Sequence, residues 1–185
     1  MISVSQLRKG VTFERDGELY RVLDYQHNKS GRGNAIIRTK LRNLRTGATT
    51  TETFLSGDRV QDVRLDHRTV QYLYNDGDLY YFMDMETFEQ PALPKETVED
   101  ILPYLKENTV LELESYEGEP IGLELPTTVN LEVVEAPPGY AGDTATGATK
   151  EVVLETGMRL NVPLFVNAGD VVRVDTRTGE YQTRV

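Results

Sequence analysis

The residues of this chain best suited to a chemical role are cations gathered in one stretch, HNKSGRGNAIIRTK at 27–40. Arg32 stands between Gly31 and Gly33, at what reads as a hairpin tip, with Lys29, Ser30 and Asn34 beside it. Behind the tip, Arg38, Lys40 and Arg42 alternate with Ile37, Thr39 and Leu41. Side chains alternate faces along a strand, so three cations line one side and the less polar set lines the other. Like charges in a row repel one another, and such a row fits the repeated negative charge of a phosphate backbone. The rival reading is a soluble edge strand guarded by positive charge. We take RNA contact as the expectation, with Arg8, Lys9, Arg45, Arg59 and Arg64 as candidates to extend the patch.

Other chemical motifs fail on inspection. Gly31-Arg32-Gly33 lacks the third glycine of a dinucleotide fingerprint and opens a strand rather than a helix. GDTATGATK at 142–150 has Ala148 and Thr149 where a phosphate loop needs Lys and Ser/Thr. Carboxylates recur as Asp84 with Glu86 and Glu112 with Glu114, where strand spacing favours a solvated face over an acid–base pair. There are no cysteines, and His27 and His67 lie forty residues apart, which excludes thiolate sites and disfavours a histidine metal centre. No enzyme active site, metal or cofactor is expected.

Charge is distributed unevenly along the 185 residues. Residues 1–64 hold 12 Lys and Arg against 7 Asp and Glu. Residues 65–128 hold 3 against 15, and residues 129–185 hold 5 against 8. The net charge of −10 therefore conceals a basic head and an acidic middle. That pattern suits a protein that meets nucleic acid at one end and repels it elsewhere. No run of about 18 apolar residues is present, and MISVSQLRKG lacks the core of a signal peptide, so a cytoplasmic protein without membrane contact is expected.

The elements that must position the cations read as strands almost throughout. ELYRVLDYQH and NAIIRTKLRNL flank the glycine bend and form a hairpin. YLYNDGDLYYFMD forms a second one around Asp76-Gly77, with Tyr72 and Tyr74 on one face. The Tyr72, Tyr74, Tyr80 and Tyr81 group reads as a hairpin packed on its own barrel rather than a base-stacking platform. KETVEDILPYLKEN reads as a helix with Thr97 and Asp100 at capping-box spacing and Pro103 limiting its length. A shorter helix is expected from Ser3 to Lys9, closed by Gly10. Boundaries near 64–66 and after Pro126 divide the chain into 1–64, 65–127 and 128–185, each of a size for a small five- or six-stranded barrel.

From end to end the sequence resembles bacterial translation elongation factor P. The resemblance rests on LRKG, HNKSGRGNA, NLRTGATTTETFLSGDRV, QYLYNDGDLYYFMDMETFEQ, PPGYAGDTATGATKEVVLETG and NVPLFVNAGDVVRVDTRTGEYQTRV, in that order. It implies an all-β fold of three small barrels, a KOW/SH3-like domain followed by two OB-like ones, in an L-shaped outline like that of tRNA. It implies binding to the ribosome, through ribosomal RNA and proteins, between the peptidyl-tRNA and exit sites. There the family stimulates peptide-bond formation at consecutive prolines by positioning the CCA end of peptidyl-tRNA. By position Arg32 is the residue that reaches that end, with Lys29, Ser30, Gly31, Gly33 and Asn34 shaping the loop. Gly142, Asp143 and Thr144 match the loop that approaches mRNA at the exit-site codon, and Arg177, Tyr181 and Arg184 match positions offered as further RNA contacts. The family tip is lysine or arginine and is often modified. Here Ser30 and Arg32 depart from the lysine branch, which excludes a β-lysyl attachment and leaves rhamnosylation of Arg32 by a glycosyltransferase as the modification to test. A monomer is expected. The alternative from residues alone is a free-standing OB-type module that binds single-stranded nucleic acid.

Overall fold

The computed structural model describes residues 1–29, 31–139 and 148–185. Its strands form three sheets, each with a separate apolar core. Strands β1 (Ile2–Ser3), β2 (Thr12–Arg15), β3 (Glu18–Asn28), β4 (Ile36–Asn43), β5 (Thr49–Leu55) and β6 (Arg59–Asp62) make the first sheet, in the order β1-β6-β2-β3-β4-β5. Strands β7 (Asp66–Asn75), β8 (Leu79–Asp84), β9 (Ala92–Pro94), β10 (Val110–Tyr116) and β11 (Glu119–Glu124) make the second, in the order β11-β10-β7-β8-β9. The third contains β12 (Thr128–Glu135), β13 (Thr149–Leu154), β14 (Arg159–Pro163), β15 (Val171–Asp175) and β16 (Tyr181–Arg184), in the order β14-β13-β12-β15-β16. The chain falls into two compact units, residues 1–66 with 115–121, and residues 67–114 with 122–185.

Turn chemistry sets the hairpins. Asp16 and Gly17 (φ 53° and 80°) join β2 to β3, and Glu117 and Gly118 (φ 50° and 82°) join β10 to β11. Two consecutive positive φ values match the right-handed twist of the flanking strands. In the first unit, Tyr116 donates its hydroxyl to Glu14 Oε2 at 3.3 Å, and Arg45 Nη2 lies 3.5 Å from Glu119 Oε2. The first core holds Val4, Leu7, Phe13, Val22, Ile37, Leu41, Phe54 and Val60. Ile37 and Leu41 are its contribution from β4, and Thr39 between them is equally buried, its hydroxyl donating to the Glu52 carbonyl at 3.1 Å. That bond satisfies a polar group which would otherwise be costly to bury.

Three local expectations are corrected. The helix predicted from Lys95 is an α-helix of only four residues, α1 (Lys95–Val98), running into a 3-10 segment over Glu99–Tyr104. Its N-cap is Pro94 without any side-chain cap, so Thr97 lies inside the helix and the Thr97–Asp100 spacing caps nothing. Pro103 sits within the tighter segment, where its missing N–H keeps an α-helix from continuing. The segment from Ser3 to Lys9 forms one 3-10 turn, Val4–Gln6, with a capping box between Ser3 and Gln6. Gly10 follows it at φ 93°. The third correction concerns Tyr72 and Tyr74, which do not share a face. A register shift between them pairs Tyr72 with Phe82 and Tyr74 with Tyr81. The extra residue of such a bulge switches the alternation, so Tyr72 is buried while Tyr74 is 51% exposed.

Candidate nucleic-acid interface

The hairpin of β3 and β4 carries the predicted cationic site. Eight residue pairs hold the two strands together, from Tyr20 opposite Asn43 to Asn28 opposite Ile36. Beyond the last pair, Gly31 and Arg32 lie in a turn. The Ala35 carbonyl accepts from Ser56 N–H at 3.0 Å and ties this end of the hairpin to the turn that follows β5. Lys29, Gly31, Arg32, Gly33 and Asn34 are all exposed, and Ser30 lies outside the described residues. Gly31 has φ 56°, and a Cβ built there would meet nothing within 4 Å. Its glycine therefore serves the left-handed backbone of the turn and not close packing within the molecule. Among the described residues, nothing bonds to the Arg32 or Lys29 side chain.

Burial along β4 alternates as predicted. Ile37, Thr39 and Leu41 are buried; Arg38 and Lys40 are exposed and Arg42 is half-buried on the opposite face. The same face is completed by Gln26, Asp24 and Arg21 of β3 and by Thr53, Thr51 and Thr49 of β5. Asp24, which is cross-strand from Lys40, is the only acid among these positions, and its Oδ1 accepts from Tyr25 N–H at 2.9 Å. Arg38 and Lys40 have no hydrogen bond or ion pair with any described residue, whereas Arg21 and Arg42 each engage a neighbour. Two cations stand free on a strand face in front of a free arginine at the tip.

The outlying cations behave differently. Arg8 lies over the Tyr25 ring at 5.0 Å and donates to the Ser5 and Leu7 carbonyls. Tyr25 is cross-strand from Thr39, so Arg8 sits on the face opposite Arg38. Arg45 donates to the Gly17 carbonyl at 2.6 Å, at the end of the sheet away from the tip. Arg59 donates to the Met1 carbonyl at 3.2 Å. None of these three extends the row.

Sequence reasoning missed two features of this face. Arg21 joins it opposite Arg42 because a register shift between Val22 and Asp24 reverses the alternation of β3. Val22 and Tyr25 both turn inward although they are three residues apart, which alternation along the strand does not foresee. Ile36 and Leu55 pair across β4 and β5 at the tip end of the row and are 41% and 52% exposed. An apolar pair beside free cations offers a surface for the flat faces of bases as well as for phosphates.

The remaining predicted positions divide. Gly142, Asp143 and Thr144 lie outside the described residues. Arg177 lies in the turn after β15, 3.5 Å from Asp175, whose carboxylate is held below its ordinary pKa by the Arg177 backbone N–H foremost. Tyr181 packs against the third core. Arg184 lies 5.0 Å over the Phe165 ring and 3.7 Å from Asp170. Each tail arginine thus already has a carboxylate partner, unlike Arg32, Arg38 and Lys40.

A KOW-like domain followed by OB domains in one polypeptide defines a class of modular β-proteins, and the matches to known families follow that division. The KOW-like domain model of elongation factor P matches residues 3–60, its OB domain model matches residues 65–123, and its C-terminal domain model matches residues 129–184. Elongation factor P of Moorella thermoacetica is 55% identical over 184 residues, and that of Acetivibrio thermocellus is 52% identical over 185; both alignments cover 100% of each chain. The chain belongs to the elongation factor P family and is a translation elongation factor. A solved structure titled translation initiation factor 5A, from Methanococcus jannaschii, superposes with a TM-score of 0.53 at 22% identity, covering 67% of this chain and 93% of that one, a likeness of fold.

Proposed function

We propose that the chain acts on the ribosome, between the peptidyl-tRNA and exit sites, and stimulates peptide-bond formation at consecutive prolines. The observation that carries this reading is Arg32, exposed at the end of the β3–β4 hairpin with no described partner and backed by the free pair Arg38 and Lys40. Family membership supplies the setting. Proline is a poor nucleophile, and a stalled complex loses its near-attack arrangement. A cation that holds the CCA end of peptidyl-tRNA restores that arrangement by lowering the entropic cost of alignment, while the ribosome carries out the bond chemistry. Arginine suits the task because its charge is fixed and its five donors form a rigid fork for phosphate or ribose oxygens. Arg38, Lys40 and Arg42 then follow the RNA backbone behind the tip.

In the same reading residues 1–64, 65–127 and 128–185 act as three domains in the cytoplasm. Gly142, Asp143 and Thr144 approach the mRNA at the exit-site codon, and Arg32 is the position for a glycosyl modification. Translation of a reporter with several successive prolines tests the proposal. Arg32→Ala is expected to remove most of the dependence on the protein, and an unaffected variant overturns the role of the tip. Mass spectrometry of the native protein decides the modification, through an added mass localised to Arg32.

The second reading, a free-standing OB module for single strands, draws on one observation, the exposed Tyr74–Tyr81 stack of the second sheet. Tight, salt-sensitive binding to generic single strands without ribosomes would favour it. The charges around that stack argue the other way.

A further inference from the structure

Outside the cationic hairpin, the most unusual surface is the outward face of β7 and β8. Tyr74 and Tyr81 stack there with ring centroids 4.7 Å apart and planes inclined by 20°. Such a stack covers one face of each ring, and Tyr74 remains 51% exposed. Tyr81 donates its hydroxyl to Asp76 Oδ2 at 3.0 Å. Asp76 Oδ1 in turn accepts from the backbone N–H groups of Leu79 and Asp78, which hold this carboxylate below its ordinary pKa and keep it charged. Met83 follows Tyr81 on the same face and Met85 lies just past the strand, 40% exposed. Residues 69–94 contain Asp76, Asp78, Asp84, Glu86 and Glu89, and no lysine or arginine. Arg68, just before this stretch, is committed to Asp84 at 2.9 Å.

We propose that this aromatic, thioether-bearing face is a docking surface for a basic protein segment, with an arginine or lysine side chain laid on the outer face of Tyr74. A guanidinium or ammonium is drawn to the negative face of a tyrosine ring, and thioethers adapt to an irregular apolar stem. Stacking on Tyr81, whose hydroxyl is bonded to a carboxylate, enriches the negative potential that such a cation meets. The four carboxylates other than Asp84, whose charge Arg68 offsets, add a field of the same sense, screened over about 10 Å at moderate salt. The same field repels a phosphate backbone, so the exposed stack selects a cationic peptide over a nucleic acid. A cross-strand tyrosine pair that only stabilises the hairpin has no use for a stretch, 69–94, with five carboxylates and no lysine or arginine. The inference is independent of Arg32 and of the reading given for the tip.

Nuclear magnetic resonance on the full chain tests it, with a nine-residue peptide of alternating arginine and glycine as the probe and a uridine oligonucleotide as the competitor. The expected result is a saturable shift of the Tyr74 and Tyr81 ring signals and the Met83 and Met85 methyl signals, weakening as salt is raised. Tyr74→Ser should lower the peptide affinity by about two- to fivefold. In case that variant loosens the hairpin, Glu86→Gln with Glu89→Gln removes charge without touching the rings, and should weaken binding and flatten its salt dependence. The proposal fails if the shifts spread evenly over all acidic surfaces. It fails equally if both variants bind the peptide as the parent does, or if the oligonucleotide moves the same signals more strongly.

Discussion

Two hairpins of this molecule use one construction for opposite ends. In both, a long strand contains a register shift, at Val22–Asp24 in β3 and at Tyr72–Tyr74 in β7, and its partner strand keeps regular alternation. In both, the inward row builds a core, Ile37 and Leu41 in one case and Tyr80 and Phe82 in the other. The outward rows differ in sign. The first carries Arg38 and Lys40, free of described partners, with arginines beside them; the second carries stacked tyrosines and is bordered by carboxylates. The bulge is the shared device, since it lets a strand change which residues face outward without interrupting the sheet. What each hairpin can bind is then set by a few outward side chains, at little cost to the core beneath.

The largest expected effect breaks the second hairpin from below. Phe82 is fully buried against Tyr72, with ring centroids 5.4 Å apart. Phe82→Ala should cost about 3–5 kcal/mol by leaving a cavity. Chemical denaturation of the purified variant measures this, and a loss below about 1 kcal/mol would mean that the core beneath the tyrosines is not as tightly packed as the distances indicate.

The next effect concerns sign. Arg38→Gln with Lys40→Gln should weaken binding of a tRNA acceptor-stem RNA and reduce the slope of log affinity against log salt by about 2, roughly one for each phosphate no longer neutralised. Glu86→Gln with Glu89→Gln on the other hairpin should leave that slope unchanged. Changes of equal size and opposite sign in the two pairs would show that net charge, and not the strand face, governs RNA binding. Thermal stability of the first pair should hold or rise slightly, because like charges in a row repel.

Much of this contrast is legible in the residues themselves. Alternation in IIRTKLRN identifies which side of β4 is cationic, and Asp16-Gly17 and Asp76-Gly77 mark turns that the structure contains. The three-sheet, all-β architecture follows from short strands between turn signals. Bulges are not legible, which is why periodicity puts Tyr72 and Tyr74 on one face and overlooks Arg21. A bulge is selected by cross-strand packing far away in sequence, which periodicity within one strand cannot report. The helix from Lys95 misleads for a related reason: Thr97 and Asp100 have the right spacing for a cap, but Pro94 has already set the start. The state of Arg8, Arg45 and Arg59 depends on a ring or a carbonyl supplied by another segment. A set of cations read along the chain cannot distinguish those from the free ones.

Acid distinguishes the hairpins more subtly. Asp84 closes the second one, accepting from the Glu86 and Thr87 backbone N–H groups at 2.8 and 3.0 Å and from Arg68 at 2.9 Å. The Thr87 N–H foremost, with Arg68 and the Glu86 N–H, lowers its pKa to about 2. An unfolded aspartate titrates near 3.9, so the charged form is favoured by folding. The stabilisation is complete above about pH 4 and is lost as pH falls through about 2. Thermal melts from pH 7 to pH 2 should show this fall in the parent and a smaller one in Asp84→Asn, which keeps an acceptor for the turn and loses the partner of Arg68. An unchanged pH profile in the variant would assign the acid sensitivity to other carboxylates.

The smallest expected effect sharpens the role of the tip. Gly31 has φ 56°, and an added Cβ would meet nothing within 4 Å of its own molecule. Gly31→Ala should therefore cost only the strain of a left-handed alanine, about 1 kcal/mol, and Gly31→Asn less, because asparagine tolerates that conformation. Gly77, at φ 98° in the other hairpin's turn, also has open space around it and provides the control. If Gly31 exists only to make the turn, both alanine variants lower stability modestly and leave translation of proline runs unchanged. If the tip enters a narrow RNA site, Gly31→Ala should reduce that translation well beyond its loss of stability, while Gly77→Ala does not. The free molecule supplies no clash to explain such a difference, so the missing space would have to belong to the partner.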